Sequence, residues 1–158
     1  MKVRVVEPHE WERFRALRLR ALREDPAAFG ATLEAESALA PEAWQERMTR
    51  PGTVRLVAEE GGAWVGLVGV ALQPAPEVFG MWVAPEARGR GVGLALLEEA
   101  ASWARAQGAS ALALWVNVAQ APAVRLYERA GFRPDGPPHP GTRDPSRTFQ
   151  RMARPLRS

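Results

Sequence analysis

Residues 88–93, Arg-Gly-Arg-Gly-Val-Gly, lie between a strand pattern (Val78 to Val83, then the turn Ala84-Pro85-Glu86) and an apolar helix pattern. That placement constrains the chain more than any other feature. A helix that starts from a glycine-rich loop leaves its first backbone N–H groups without partners. Those amides, with about half a positive charge from the helix dipole, make a site for an anion, most simply a phosphate. Gly89, Gly91 and Gly93 carry no Cβ to hold a bulky ligand off the backbone, and Arg88 and Arg90 add charge at the rim. The segment reads as a pyrophosphate cradle. The bland alternative is a tight strand-to-helix turn with no ligand.

Two better-known phosphate loops do not fit. A P-loop needs Lys after its last glycine, and Lys2 is the only lysine in the chain. The dinucleotide pattern G-x-G-x-x-[GA] meets Leu94 when started at Gly89 and Leu96 when started at Gly91. The pattern [RQ]-x-x-G-x-[GA] is satisfied from Arg88 to Gly93. Here the sequence resembles the GNAT superfamily of acetyl-coenzyme A-dependent N-acetyltransferases, whose motif V-x-P-x-x-R-G-x-G-x-G-x-x-L-L runs unbroken from Val83 to Leu97. The resemblance implies an α/β (α+β) fold in one domain, residues 1–158. Its mixed central sheet would have about six to seven strands, splayed between the fourth and fifth and flanked by helices. It also implies that acetyl-CoA is the co-substrate and CoA a product, contacted by Met81, Trp82, Val83, Arg88, Gly89, Arg90, Gly91, Val92, Gly93 and Leu94. In that family the pantetheine arm lies in the splay and pairs with the main chain of Met81 and Val83, as an added strand would.

At 158 residues the chain is long enough for a proper core. No apolar run approaches a membrane span, and there is no signal-peptide pattern and no Cys, so a cytoplasmic protein without disulfides is expected. His9 and His139 are far apart and no Cys/His cluster exists, so no metal site is expected. The net charge of +3 is mild and the arginines are scattered, which argues against a nucleic-acid partner.

Along the chain, Lys2 to Val6 alternates as a first strand, and Pro8 opens a helix to about Glu24 whose arginines 13, 15, 20 and 23 should largely face water. Asp25-Pro26 reads as a stop and restart, followed by helix from Ala27 to about Ser37 and a short one from Pro41 to Met48. Strands Val54 to Glu59 and Ala63 to Leu72 form a hairpin about Gly61-Gly62. After the strand, loop and helix already described come a strand from Ala111 to Val118 and a short helix from Pro122 to Ala130. A further strand begins at Phe132, Pro134 to Ser146 is loop, and Thr148 to Pro155 is a final strand.

A second resemblance covers Leu112 to Phe132, where the family pattern V-x-x-x-N-x-x-A-x-x-x-Y-x-x-x-G-F finds Val116, Ala123, Tyr127, Gly131 and Phe132. Gln120 stands where the family has Asn; the chain's one Asn, Asn117, comes three residues earlier, and both are candidate cofactor contacts. The resemblance makes Tyr127 a cofactor contact and the candidate general acid for the departing thiolate, and Glu77, six residues before Val83, the candidate general base. A base matters because a lysine-like amine of pKa ~10.4 costs ~4.6 kcal/mol to deprotonate at pH 7, against ~1 for an α-amino group. Phe29, Glu34 and Trp82 are the candidate substrate contacts, with Glu36 beside them, and the glutamates would attract a cationic amine. Expected partners are a small-molecule amine or a peptide or protein amine, with no membrane, and a homodimer is left open. Without Cys, an acetyl-cysteine intermediate is excluded. The competing reading is a CoA-binding sensor without turnover.

Overall fold

A computed structural model describes residues 1–157. Strand β1 (Lys2–Val5) leads through a 3₁₀ turn (Pro8–Glu10) into α1 (Trp11–Glu24). Another 3₁₀ turn (Pro26–Ala28), α2 (Leu33–Ser37) and α3 (Pro41–Thr49) follow. Then come β2 (Thr53–Glu60), β3 (Ala63–Ala71), β4 (Glu77–Val83), a 3₁₀ turn (Pro85–Ala87) and α4 (Val92–Ala106). The chain closes with β5 (Ala111–Asn117), α5 (Ala121–Arg129), β6 (Arg133–Pro134), β7 (His139–Pro140) and β8 (Thr148–Pro155).

The strands form one mixed sheet in the order β1-β2-β3-β4-β5-β8-β6, with β7 on the same outer edge of β8 as β6. All neighbours are antiparallel except β4 and β5. Strand β3 is buried continuously from Trp64 to Val70, which requires cover on both faces. Helix α4 supplies one cover, burying Val92, Leu96, Leu97, Ala100 and Ala104 at helical spacing. On the other face Phe14 of α1 meets Trp44 of α3 edge to face at 6.1 Å.

Two irregularities shape the middle of the sheet. Strands β4 and β5 share a single register pair, Glu77 with Ala113, and diverge beyond it; the splay falls between the fourth and fifth strands as expected. In β4 itself Phe79 faces Gly69 and Trp82 faces Leu67, so three steps on β4 oppose two on β3. Gly80 absorbs the extra residue at φ +61, a left-handed conformation open to glycine. A regular strand would send Phe79 and Trp82 to opposite faces; the bulge turns both toward α1.

Three expectations need correction. The strands number eight among the described residues rather than six to seven, because the proline-rich stretch read as loop contributes β7 along the edge of β8. Edge positions tolerate proline, whose missing N–H faces away from the ladder. The helix expected from Ala27 to Ser37 is broken: Phe29 is extended, and α2 restarts only where Thr32 accepts a hydrogen bond from the Ala35 amide at 3.2 Å. Nor do the α1 arginines all face water. Arg15 and Arg20 are half-buried, and Arg20 joins Glu24 at 2.6 Å and Glu86 at 2.7 Å.

Candidate active site

The loop before α4 has the backbone that an anion site needs. Gly89 and Gly91 sit at φ +78 and +82, and Gly91 is the N-cap of α4. No side chain caps this helix, and its first return bond runs from the Ala95 amide to the Gly91 carbonyl at 3.0 Å. The amides of Val92, Gly93 and Leu94 are thereby left facing out of the helix end. A Cβ at Gly93 would come within 2.8 Å of Leu126, so α5 lies directly against this turn. Uncapped amides, no side chain in the way and a wall supplied by α5 fit a diphosphate.

These groups open onto a cleft of about 410 Å³ between the C-terminal half of β4 and α5. Met81, Trp82, Val83, Arg88, Gly89, Gly91, Val92, Gly93, Leu94, Gln120 and Tyr127 all border it, so most of the expected cofactor set is brought together. Arg88 is not a free charge at the rim: its Nε donates to the Val83 carbonyl at 2.9 Å and its Nη2 to Asp25 at 2.7 Å. The same Asp25 oxygen accepts from the Trp82 indole at 2.6 Å. Burial pushes the Asp25 carboxyl up, but the Trp82 and Arg88 donors outweigh it and hold it below the usual carboxylate range. Asp25 thus ties β4 to the glycine loop, a role that reading it as a helix stop missed. Its partners lie 57 and 63 residues away, and nothing local signals them.

Two expected cofactor side chains point elsewhere. Arg90 pairs with Glu60 at 2.7 Å and does not border the cleft, because the β2–β3 hairpin offers its guanidinium a nearer carboxylate. Asn117 is 6% exposed; its Nδ2 donates to the Ala27 carbonyl at 3.1 Å and its Oδ1 accepts from the Ala119 amide at 3.0 Å. Its amide is spent in holding β5 to the turn after α1. Gln120 takes the N-cap position of α5 without capping it, which leaves its side chain on the cleft.

Tyr127 is 8% exposed, braced edge to face by Phe132 at 6.2 Å. Burial pushes its phenol up to about 12, so it keeps its proton throughout the neutral range.

The N-terminal half of β4 borders a second cavity, about 540 Å³, which meets the first at Ala28. Glu77 is there, half-buried and without a salt bridge among the described residues; burial pushes its carboxyl up, opposed by the charge of Arg151. Phe29 lines this cavity under the Arg18 guanidinium, 4.8 Å from its ring centre. His139 reaches it through β7 and meets Trp115 edge to face at 5.3 Å. The other expected substrate contacts lie outside this cavity. Trp82 borders only the cofactor cleft, because the bulge sets it beyond the junction. Glu34 is exposed and borders neither space, since the short α2 turns Glu36 inward instead. Glu36 is 6% exposed and bridges Arg18 at 3.1 Å and Arg47 at 2.7 Å, so it holds no charge in reserve for a cation.

The site thus combines a mixed sheet splayed between β4 and β5 with an uncapped, glycine-led helix start. The sequence model of the acetyltransferase (GNAT) family matches residues 11–132. An IAA acetyltransferase of Azospirillum brasilense is 39% identical over 114 residues, 70% of this chain and 73% of that protein. A mycothiol acetyltransferase of Beutenbergia cavernae is 34% identical over 131 residues, 81% of this chain but only 42% of that longer protein. In fold the chain is similar to a GNAT-family acetyltransferase from Streptococcus pneumoniae, with a TM-score of 0.85 and 21% identity over 99% of each chain. It is similar also to a putative acetyltransferase from Salmonella typhimurium solved with acetyl-CoA, at TM-score 0.80 and 21% identity over 100% of this chain and 95% of that one. The chain belongs to the acetyltransferase (GNAT) family: it is an acetyltransferase that uses acetyl-CoA.

Proposed function

We propose that this acetyltransferase joins the acetyl group to a primary amine by direct attack, with both substrates bound together. The observation that carries the reading is the pair of cavities on the two halves of β4, bordering one another at Ala28. One offers uncapped amides for a diphosphate; the other offers a half-buried carboxylate for an amine. Acetyl-CoA supplies an acetyl group already activated as a thioester. The α4 amides and the main chain of Met81 and Val83 hold the carrier in the cleft. Glu77 accepts the proton that the amine must lose, directly or through a water, and its raised pKa suits that task. Tyr127 keeps its proton and lies on the cleft wall, so it can hand that proton to the departing sulfur. The acceptor is a small-molecule amine or the amine of a peptide.

Release of free thiol from acetyl-CoA, followed across classes of amine, tests the reading. Initial rates at varied concentrations of both substrates should give intersecting reciprocal plots, the mark of a ternary complex. Binding of acetyl-CoA with no thiol release from any amine would replace the enzyme with a sensor. Parallel plots would refute direct attack.

A further inference from the structure

A third space, about 250 Å³, lies between α1, α3 and the sheet, lined by Arg18, Arg47, Arg50 and Arg55. It adjoins the cavity that holds Glu77, since Arg18, Phe79 and Gly80 border both. Its charges do not cancel. Glu36 takes up Arg18 and Arg47, and Glu46 takes up Arg50 at 2.6 Å. Arg55 has neither: its Nε and Nη1 are buried without a hydrogen-bond partner among the described residues.

The sheet builds this arrangement deliberately around a missing side chain. Arg55 on β2, Gly69 on β3 and Phe79 on β4 are cross-strand neighbours. A Cβ at Gly69 would fall 2.4 Å from the Phe79 ring, so only glycine there lets Phe79 lie across the strand. Arg55 is then sandwiched, its guanidinium 5.1 Å from the ring centres of both Phe14 and Phe79. The rings fix the plane of the group and satisfy none of its N–H donors. Buried donors of a charged group left unpaired are costly, and an oxyanion is the partner that relieves them. The surroundings agree: burial first, then Arg47, Arg18 and Arg50, push the Arg55 guanidinium down to about 10.

We propose that the acceptor amine carries a carboxylate, and that Arg55, with Arg18, holds it in this arginine-lined space while the amine reaches Glu77. The inference rests on the acetyl-transfer reading above and names its substrate class: amino acids, with the amine and carboxylate at a spacing the assay determines. It reverses the expectation of a cationic acceptor. In the wider cavity, too, Arg18, Arg143 and Arg147 outnumber the carboxylates of Glu77 and Asp144.

The test uses matched probes, α-, β- and γ-amino acids each beside its carboxamide, with the full chain and acetyl-CoA. At least one acid should be acetylated with kcat/KM about tenfold or more above its amide, the scale of one charge-assisted hydrogen bond. Arg55→Met should bring that ratio toward one, and Arg55→Lys should keep part of it. A ratio of one or less in every pair overturns the carboxylate subsite and leaves acetyl transfer intact. Calorimetry on the CoA-loaded protein separates the two ideas. Tighter binding of acids than amides, lost in Arg55→Met but without thiol release, upholds the subsite and overturns the transfer reading. Acetate or inorganic phosphate binding as tightly as the amino acids, with no difference within pairs, would mark a site for a free ion and overturn the proposal. Should Arg55→Met not fold, Arg55→Lys carries the comparison, and an unchanged acid-to-amide ratio in Arg55→Ala then counts against the subsite.

Discussion

The proposed cofactor cleft and the proposed acceptor cavity share one strand yet are built on opposite plans. The cleft takes most of its wall from the run Met81 to Leu94 and offers a ligand mainly backbone: amides of a helix start, the main chain of β4 and a floor of glycines. The acceptor side gathers side chains from α1, the turn at Phe29, β4, β5 and the β7–β8 edge, and with the arginine-lined space from α3, β2 and β3 as well. A contiguous backbone site depends on where glycine and proline stand, so it can keep one ligand while other positions change. A site assembled from distant side chains alters its ligand with each substitution. On the proposed assignment, carrier recognition is the fixed half of this enzyme and acceptor recognition the adjustable half.

The largest test of that division is Glu77→Gln. Removing the proposed base should lower kcat by about a hundredfold or more, with the affinity for acetyl-CoA by calorimetry unchanged. Because burial raises the Glu77 pKa, the wild-type kcat/KM should climb with pH through a limb above the ordinary carboxylate range, and the variant should lack it. Stability should move the other way. A carboxyl whose folded pKa is raised stabilises the fold below its unfolded pKa and loses that contribution as pH rises through the folded one. At neutral pH the Gln variant should melt no lower than the wild type. A weakened acetyl-CoA affinity would break the claim that the two halves are separable.

Next in size is Glu36→Gln, which leaves Arg18 and Arg47 without their shared buried carboxylate. Losing one side of a buried pair costs about 3 kcal/mol, to be read from denaturant unfolding. Hydrogen bonding from Arg47, chiefly, holds the Glu36 carboxyl below the usual range against burial. Its contribution is thus present above the unfolded carboxylate pKa and disappears as pH falls through the folded one, so the gap between variant and wild type should close in acid. On the cofactor side, Gly91→Ala should weaken acetyl-CoA binding about tenfold. Its φ of +82 costs an L-residue about 1–2 kcal/mol, and relaxing that strain re-aims the amides of α4. The acid-to-amide preference of the acceptor should be untouched.

The same contrast explains what the amino-acid sequence made legible. The glycine loop and the helix after it follow from short-range patterns, because backbone geometry and helix capping are local. The splay and the candidate role of Tyr127 come only from the family resemblance. Strand β7 was hidden since it is only two residues long, too short for an alternating pattern, and its prolines argue for loop. Glu34 and Glu36 differ by two positions, and which one turns inward depends on Arg18 and Arg47, fixed only after α1 and α3 pack. Asn117 was chosen for its amide, yet the carbonyl of Ala27 had already claimed it. Arg55 gave no signal: an arginine in a strand reads as an outward residue unless the neighbouring strand is known to place Gly69 beside it.

Tyr127→Phe is expected to have the smallest effect and is the finest probe of where the two halves meet. The ring stays against Phe132 and only the hydroxyl is lost, so folding and acetyl-CoA affinity should be preserved. A thiol of pKa ~8.5 is a tolerable leaving group without help, so kcat should fall by about tenfold rather than the larger factors typical of proton transfer to a poor one. With its phenol pushed up to about 12, Tyr127 should add no limb to the pH profile below pH 9, and the profile of Tyr127→Phe should match the wild type in shape while lying lower. A fall in acceptor affinity instead, with kcat intact, would move Tyr127 from the departing sulfur to the amine and place the boundary between the halves inside α5.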